Sequence, residues 1–242
     1  MLWFVYDIFL LLAGILLMPA LLLKMKRRGG YRKNFRNRFG LFSKEQLHSF
    51  QPGGSIWIHA ASVGEVGVAF QFMEALRKDH ADARFTLSVT SSTGYQTALS
   101  RISKADALIY CPIDFPLFTG RALDAIRPTA FVMVETEIWP NLIRGAAARS
   151  IPMAIINARI SDKSAASYRR LRFLFGPALR KINLILAQSA LDANRFVDAG
   201  AYRPSIQVTG SFKFDVARRN PSSEAAWIKV LEGLSLLHPT LL

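Results

Sequence analysis

The sequence predicts an α/β fold with a doubly wound, mostly parallel sheet. Short apolar runs alternate with amphipathic runs along most of the chain. Runs such as Phe131-Val-Met-Val134 and Leu184-Ile-Leu-Ala187 are apolar without a break, as in strands covered on both faces. The chain has 242 residues, 51% of them hydrophobic, enough for a sizeable core and too apolar for disorder.

Taken in order, residues 2–23 hold Asp7 as their only charge and would span about 33 Å as a helix, against about 30 Å of hydrocarbon. Residues 24–38 follow with eight Lys or Arg and no acid, so they carry most of the +14 net charge. The pair reads as a single membrane anchor with a basic cytoplasmic flank. Asp7 and Pro19 leave open a helix lying in the interface. The run lacks the basic start and cleavage site of a signal peptide. Charge concentrated beside the anchor also argues against a nucleic-acid binder, which needs a basic stripe across the folded domain. One cysteine, Cys111, excludes an internal disulfide and fits a reducing compartment.

Seven strands are expected, at 55–60, 85–90, 107–110, 129–134, 152–157, 184–188 and 205–209. Helices are expected between them at 66–78, 94–100, 116–126, 138–150, 164–181 and 190–199. No repeat or low-complexity tract interrupts them.

In such sheets ligands bind beyond the carboxyl ends of the strands. Four expected strand ends carry polar or small residues that a core does not need. In His59-Ala-Ala-Ser-Val-Gly-Glu65, Gly64 permits a tight turn and Ser62 and Glu65 stand at a strand-to-helix junction. Glu65 suits a base that takes a hydroxyl proton, and equally an acid favoured by a helix dipole. In Thr90-Ser-Ser-Thr-Gly-Tyr95, Ser91, Ser92 and Thr93 suit a phosphate or sugar, or simply cap a helix. In Glu135-Thr-Glu-Ile-Trp-Pro140, Pro140 suits a first helical turn. Glu137 then reads as a helix-start acid and Glu135 as the site residue. Arg159 suits an anionic ligand or a surface ion pair. Lys213, between two Phe residues, suits a developing negative charge or a snorkelling lysine. Four histidines and one cysteine form no metal-ligand spacing, and Gly-x-Ser-x-Gly is absent.

Five segments in register resemble the amino-terminal half of the 3-deoxy-D-manno-octulosonic acid (Kdo) transferases. They are Ile58-His-Ala-Ala-Ser-Val-Gly-Glu65, Thr90-Ser-Ser-Thr-Gly-Tyr95, Val134-Glu-Thr-Glu-Ile-Trp-Pro-Asn141, Asn157-Ala-Arg159 and Thr209-Gly-Ser-Phe-Lys-Phe-Asp215. The resemblance runs from about residue 3 to about residue 217. It implies a GT-B glycosyltransferase with two Rossmann-like domains across a cleft. The amino-terminal domain would take lipid IVA and the carboxyl-terminal domain CMP-Kdo, and transfer would invert the anomeric centre with no cofactor or required metal. Glu65 matches the general base, and Glu135 and Lys213 match transition-state stabilisers. Ser62, Gly64, Ser91, Ser92, Thr93 and Arg159 are the candidate substrate contacts. The expected organisation is an anchor at 1–23, a basic segment at 24–45, the acceptor domain at 46–215 and a tail at 216–242. The resemblance fades beyond about Val216, so a chain lacking its CMP-Kdo-binding half is expected. The partners implied are lipid IVA, CMP-Kdo through that second half, and anionic lipids at the cytoplasmic side of the inner membrane, with no nucleic acid. The alternatives are a non-catalytic lipid-binding module and a UDP-sugar-dependent lipid glycosyltransferase.

Overall fold

In the computed structural model, residues 2–28, 34–50, 54–104 and 106–211 are described. All seven expected strands form: β1 Ser55–Ala60, β2 Arg84–Val89, β3 Ala107–Tyr110, β4 Ala130–Val134, β5 Met153–Ala158, β6 Leu184–Ala187 and β7 Ile206–Val208. They make one sheet in the order β3-β2-β1-β4-β5-β6-β7, and every pairing is parallel. The strand order reverses between β1 and β4, which opens a crevice beyond their carboxyl ends.

Helices cover both faces, which is why the central strands are apolar along their whole length. On one face Ile58, Leu87 and Val132 pack against α3 (Val63–Asp79) and α4 (Ser92–Leu99). On the other, Trp57, Phe131 and Ile155 meet α5 (Pro116–Ile126), α6 (Pro140–Ala148), α8 (Arg172–Leu179) and α9 (Ala190–Asp198). The alternation of side chains along a strand assigns each residue to one of these two cores.

Four helices differ from expectation. The helix expected over 94–100 starts at Ser92, because Ser91 caps it. The helix after β1 starts at Val63, three residues early, because Ser62 caps it and accepts from the Glu65 amide at 3.3 Å. The helix expected over 138–150 begins at Pro140, whose fixed φ suits a first turn. The long helix expected over 164–181 breaks at Leu171 into α7 (Asp162–Arg170) and α8.

The amino-terminal run is helical as α1, Leu2–Arg28. The expected membrane-spanning anchor over 1–23 is not borne out: among the described residues, no helix is long and apolar enough to cross a membrane. One side of α1 is engaged with the α/β body. The Tyr6 hydroxyl donates to Asp114 Oδ2 at 2.9 Å, and Asn141 Nδ2 donates to Asp7 Oδ1 at 2.7 Å. Arg144 lies 4.4 Å from the centre of the Trp3 ring. Phe4, Phe9, Leu12 and Leu16 remain exposed.

The end of the basic stretch also folds back. Arg38 donates to the Thr90 carbonyl at 2.6 Å and lies 4.8 Å over Tyr110, while Asn34 donates to the Tyr95 hydroxyl at 2.6 Å. A short helix, α2 (Lys44–Ser49), follows with a full capping box built by Ser43 and Gln46.

Candidate functional site

Because all strands are parallel, the polar segments that follow β1, β2, β4 and β5 share one edge of the sheet. Those after β1 and β4 flank the crevice directly. Glu65 comes from the first turn of α3, and Glu135 and Glu137 from the turn between β4 and α6.

Glu65 is 8% exposed. Its Oε1 accepts from the Ser62 hydroxyl at 2.7 Å and its Oε2 from the Ala61 amide at 2.8 Å. Burial pushes its pKa up. The two hydrogen bonds oppose this, and the nearby charges of Glu137 and Glu135 push it further. A carboxylate raised in this way is a stronger proton acceptor than an ordinary glutamate, as a base acting on a hydroxyl must be. Glu65 is thus both the acid of a helix start and a crevice residue.

Glu135 sits at φ 61°, a left-handed conformation that a residue with a side chain rarely adopts. Its amide stays in the ladder, donating to the Ile156 carbonyl at 2.9 Å. Such a residue costs about 1–3 kcal/mol and persists only where its surroundings hold it. Arg159 Nε donates to Glu135 Oε2 at 2.8 Å, and the Thr136 hydroxyl donates to the Arg159 carbonyl. The arginine side chain is 52% exposed and that of Glu135 12%, so the guanidinium is the half of the pair open to solvent and to an anion.

Glu137 is not the helix-start acid that its place before Pro140 suggests. The α6 amides of Asn141 and Leu142 donate to Asp114, at 3.0 and 2.8 Å. Glu137 Oε2 instead accepts from His59 Nε2 at 3.3 Å and from the Trp139 indole at 2.9 Å. His59 is fully buried, and its Nδ1 meets Ser88 Oγ at 2.9 Å. Burial disfavours charge on His59, but Cys111 and then Glu137 beside it carry its pKa upward. Burial likewise raises Glu137, but the bond and charge of His59 and the bond from Trp139 prevail and hold it below the usual carboxylate range.

The remaining candidates divide. Ser62 and Ser91 serve as caps, Ser91 Oγ accepting from the Gly94 amide at 3.0 Å and donating to the Ala61 carbonyl at 3.3 Å. That second contact brings the hydroxyl turn against the Glu65 loop. Ser92 is half-buried and Thr93 exposed, both in the first turn of α4. Gly64 does not make the tight turn expected of it. It lies in the first turn of α3, and an added Cβ would meet only Ser62 Oγ, at 4.0 Å. Gly94 is the more constrained glycine, since a Cβ there would come within 2.9 Å of Ser91 Oγ. Lys213 and the tail at 216–242 lie outside the described residues. Among the described residues no group of three or more His, Cys, Asp or Glu stands placed to hold a metal ion.

Sequence reasoning passed over His59, Trp139 and Tyr168. A histidine inside an apolar strand was a signal for the first. Tyr168, in a segment that reads as a charged helix face, is half-buried, and after burial itself the charge of Glu137 raises its pKa.

A family model described as 3-deoxy-D-manno-octulosonic-acid transferase (kdotransferase) matches residues 33–216. A 3-deoxy-D-manno-octulosonic acid transferase of Haemophilus influenzae is 30% identical over 213 residues, 88% of this chain and 49% of that protein. The enzyme of the same name from Bordetella pertussis is 36% identical over 173 residues, 67% of this chain and 38% of that protein. The chain spans about half the length of the curated relatives it matches. Among solved structures, a putative UDP-N-acetylglucosamine 2-epimerase from Listeria monocytogenes aligns with TM-score 0.51 at 12% identity, over 67% of this chain and 46% of its own. Another UDP-N-acetylglucosamine 2-epimerase aligns with TM-score 0.50 at 13% identity, over 68% of this chain and 48% of its own. At such identities the likeness is one of fold, the α/β arrangement of GT-B proteins.

Proposed function

The chain belongs to the Kdo transferase family, and from that premise we propose that it forms the acceptor side of an inverting glycosyltransferase acting on lipid IVA. The observation that carries the proposal is Glu65: a buried carboxylate with a raised pKa, at the crevice where the strand order reverses. In the proposed reaction the acceptor hydroxyl gives its proton to Glu65 as its oxygen attacks the anomeric carbon of Kdo. The bond to the CMP phosphate breaks on the opposite face, and CMP departs with the bonding pair. One base acting on one nucleophile is what a single displacement with inversion requires.

CMP-Kdo would be held by a second Rossmann-like domain facing this crevice. Lys213 has the right sign to support the departing phosphate. Arg159, already steered by Glu135, is suited to a phosphate of the acceptor. Ser92, Thr93 and the start of α3 around Gly64 offer hydroxyl and amide contacts to the same molecule.

Membrane association belongs to the proposal too. The engaged side of α1 leaves Phe4, Phe9, Leu12 and Leu16 outward, and the basic run of residues 24–38 follows, a combination suited to an anionic bilayer surface. Vesicle flotation tests this: the chain is expected to float with vesicles containing anionic lipid, and Phe4→Ser with Phe9→Ser to abolish it.

Glu65→Gln tests the base. Lipid IVA affinity should stay within a few-fold of wild type, while transfer, measured with CMP-Kdo and a donor-binding domain supplied, should fall by roughly 10²–10⁴. Unchanged transfer by Glu65→Gln would overturn the assignment.

A further inference from the structure

Glu137 and His59 take no step in the transfer proposed above, yet they are among the most firmly held groups at the crevice. The ordinary explanation for an acid at this point is helix capping. Asp114 already fills that role by accepting both the Asn141 and Leu142 amides, and Glu137 bonds neither.

The two oxygens of Glu137 are used unequally. Oε2 takes both donors, His59 Nε2 and Trp139 Nε1. Oε1 has no partner among the described residues, and the side chain is 21% exposed. A carboxylate can only accept, so Nε2 of His59 carries hydrogen. Ser88 accommodates this whether His59 Nδ1 is bare or protonated, because its hydroxyl can donate to Nδ1 or its oxygens can accept from it. Trp57 fixes Ser88 in turn, its indole donating to Ser88 Oγ at 2.8 Å. A chain of four side chains thus runs from the core to one carboxylate and leaves one oxygen open.

We propose that Glu137 is an acceptor-binding residue whose open Oε1 takes a hydrogen bond from a sugar hydroxyl, with His59 and Trp139 as its positioning residues. The inference rests on the acceptor-side reading of the site. A hydroxyl is the group selected, because a carboxylate oxygen can only accept and an ionised phosphate offers it no hydrogen. Trp139 adds an aromatic ring 6.1 Å from the His59 ring, half-buried beside the same carboxylate. A site built to accept from a hydroxyl discriminates strongly against an analogue that lacks it, since its oxygen is then left without a partner.

The test is a titration of the full chain in detergent micelles with lipid IVA and with analogues lacking one sugar hydroxyl each. Wild type is expected to bind lipid IVA and to lose at least tenfold with one of the analogues. Glu137→Gln is expected to bind lipid IVA at least tenfold more weakly and to lose no further affinity with that analogue. Trp139→Phe, which keeps the ring and removes the indole donor, is expected to lie between them. Circular dichroism and thermal midpoints show that the variants are folded, and Trp139→Phe decides the matter should Glu137→Gln not fold. Equal affinity in wild type and Glu137→Gln would overturn the inference and leave the acceptor-side reading standing. No binding by wild type would overturn both.

Discussion

The Glu65 carboxylate is stabilised by its bonds from Ser62 and Ala61 and destabilised by burial and by two acidic neighbours, and its titration reveals the balance. Its folded pKa is raised by burial and by Glu137 and Glu135. The protonated form is therefore favoured by folding. That contribution is present in full below the ordinary carboxylate value of the unfolded chain and is lost as pH rises through the raised value in the fold. Wild type should lose stability relative to Glu65→Gln across that window, read from urea midpoints at a series of pH values. A constant difference would contradict the burial of the carboxylate. Glu135 makes a second case. Glu135→Gly removes the strain of φ 61° and should stabilise the chain by about 1 kcal/mol in urea unfolding while lowering transfer, a division expected where strain serves function. A loss of stability would show that the Arg159 ion pair outweighs the strain. The sequence marked Glu65 and Glu135 because polar residues after apolar strands are conspicuous. It misplaced Glu137, because the acid that caps α6, Asp114, lies far from it in the chain and no local pattern exposes the exchange.

At the scale of the element, the start of α6 is the joint that ties the molecule together. Asp114 accepts two α6 amides and the Tyr6 hydroxyl, and burial raises its pKa against those bonds. Asn141 reaches both the Asp114 carbonyl, at 2.7 Å, and Asp7. The helix that carries the apolar amino terminus is thereby fastened to the helix that follows Glu135 and Glu137. Asp114→Ala leaves two buried amides without partners and should cost about 2–3 kcal/mol in denaturant unfolding. Tyr6→Phe removes one hydrogen bond and should cost about 1 kcal/mol. If Tyr6→Phe is neutral while Asp114→Ala is not, α1 is not held through this contact in solution. The strands were readable from unbroken apolar runs, and their ends fell within a residue or two of those expected. Helix ends were less so. The break at Leu171 and the early start at Val63 depend on packing and on one serine cap, which periodicity does not register.

For the whole molecule, the +14 net charge and the parallel sheet acquire a joint meaning. The basic stretch is not simply a solvated flank, since Arg38 and Asn34 are folded against residues at the ends of β2 and β3 and on α4. The same edge of the sheet carries the crevice, so the amino-terminal segment and the proposed acceptor site are parts of one surface. Parallel topology was legible because it needs strands buried on both faces. The docking of α1 was not, because an apolar run with one acid looks alike whether it spans a bilayer or rests a polar side on a protein. Glu65, at the point where the strand order reverses, is the proposed base of Kdo transfer. Its most direct test is the single-turnover rate from CMP-Kdo to lipid IVA, with a donor-binding domain supplied, followed against pH for wild type and Glu65→Gln. The wild-type rate is expected to rise through a pKa above the ordinary glutamate value, and Glu65→Gln to be slower by roughly 10²–10⁴ with no such rise. An equal rate, or the same pH profile in both, would contradict it.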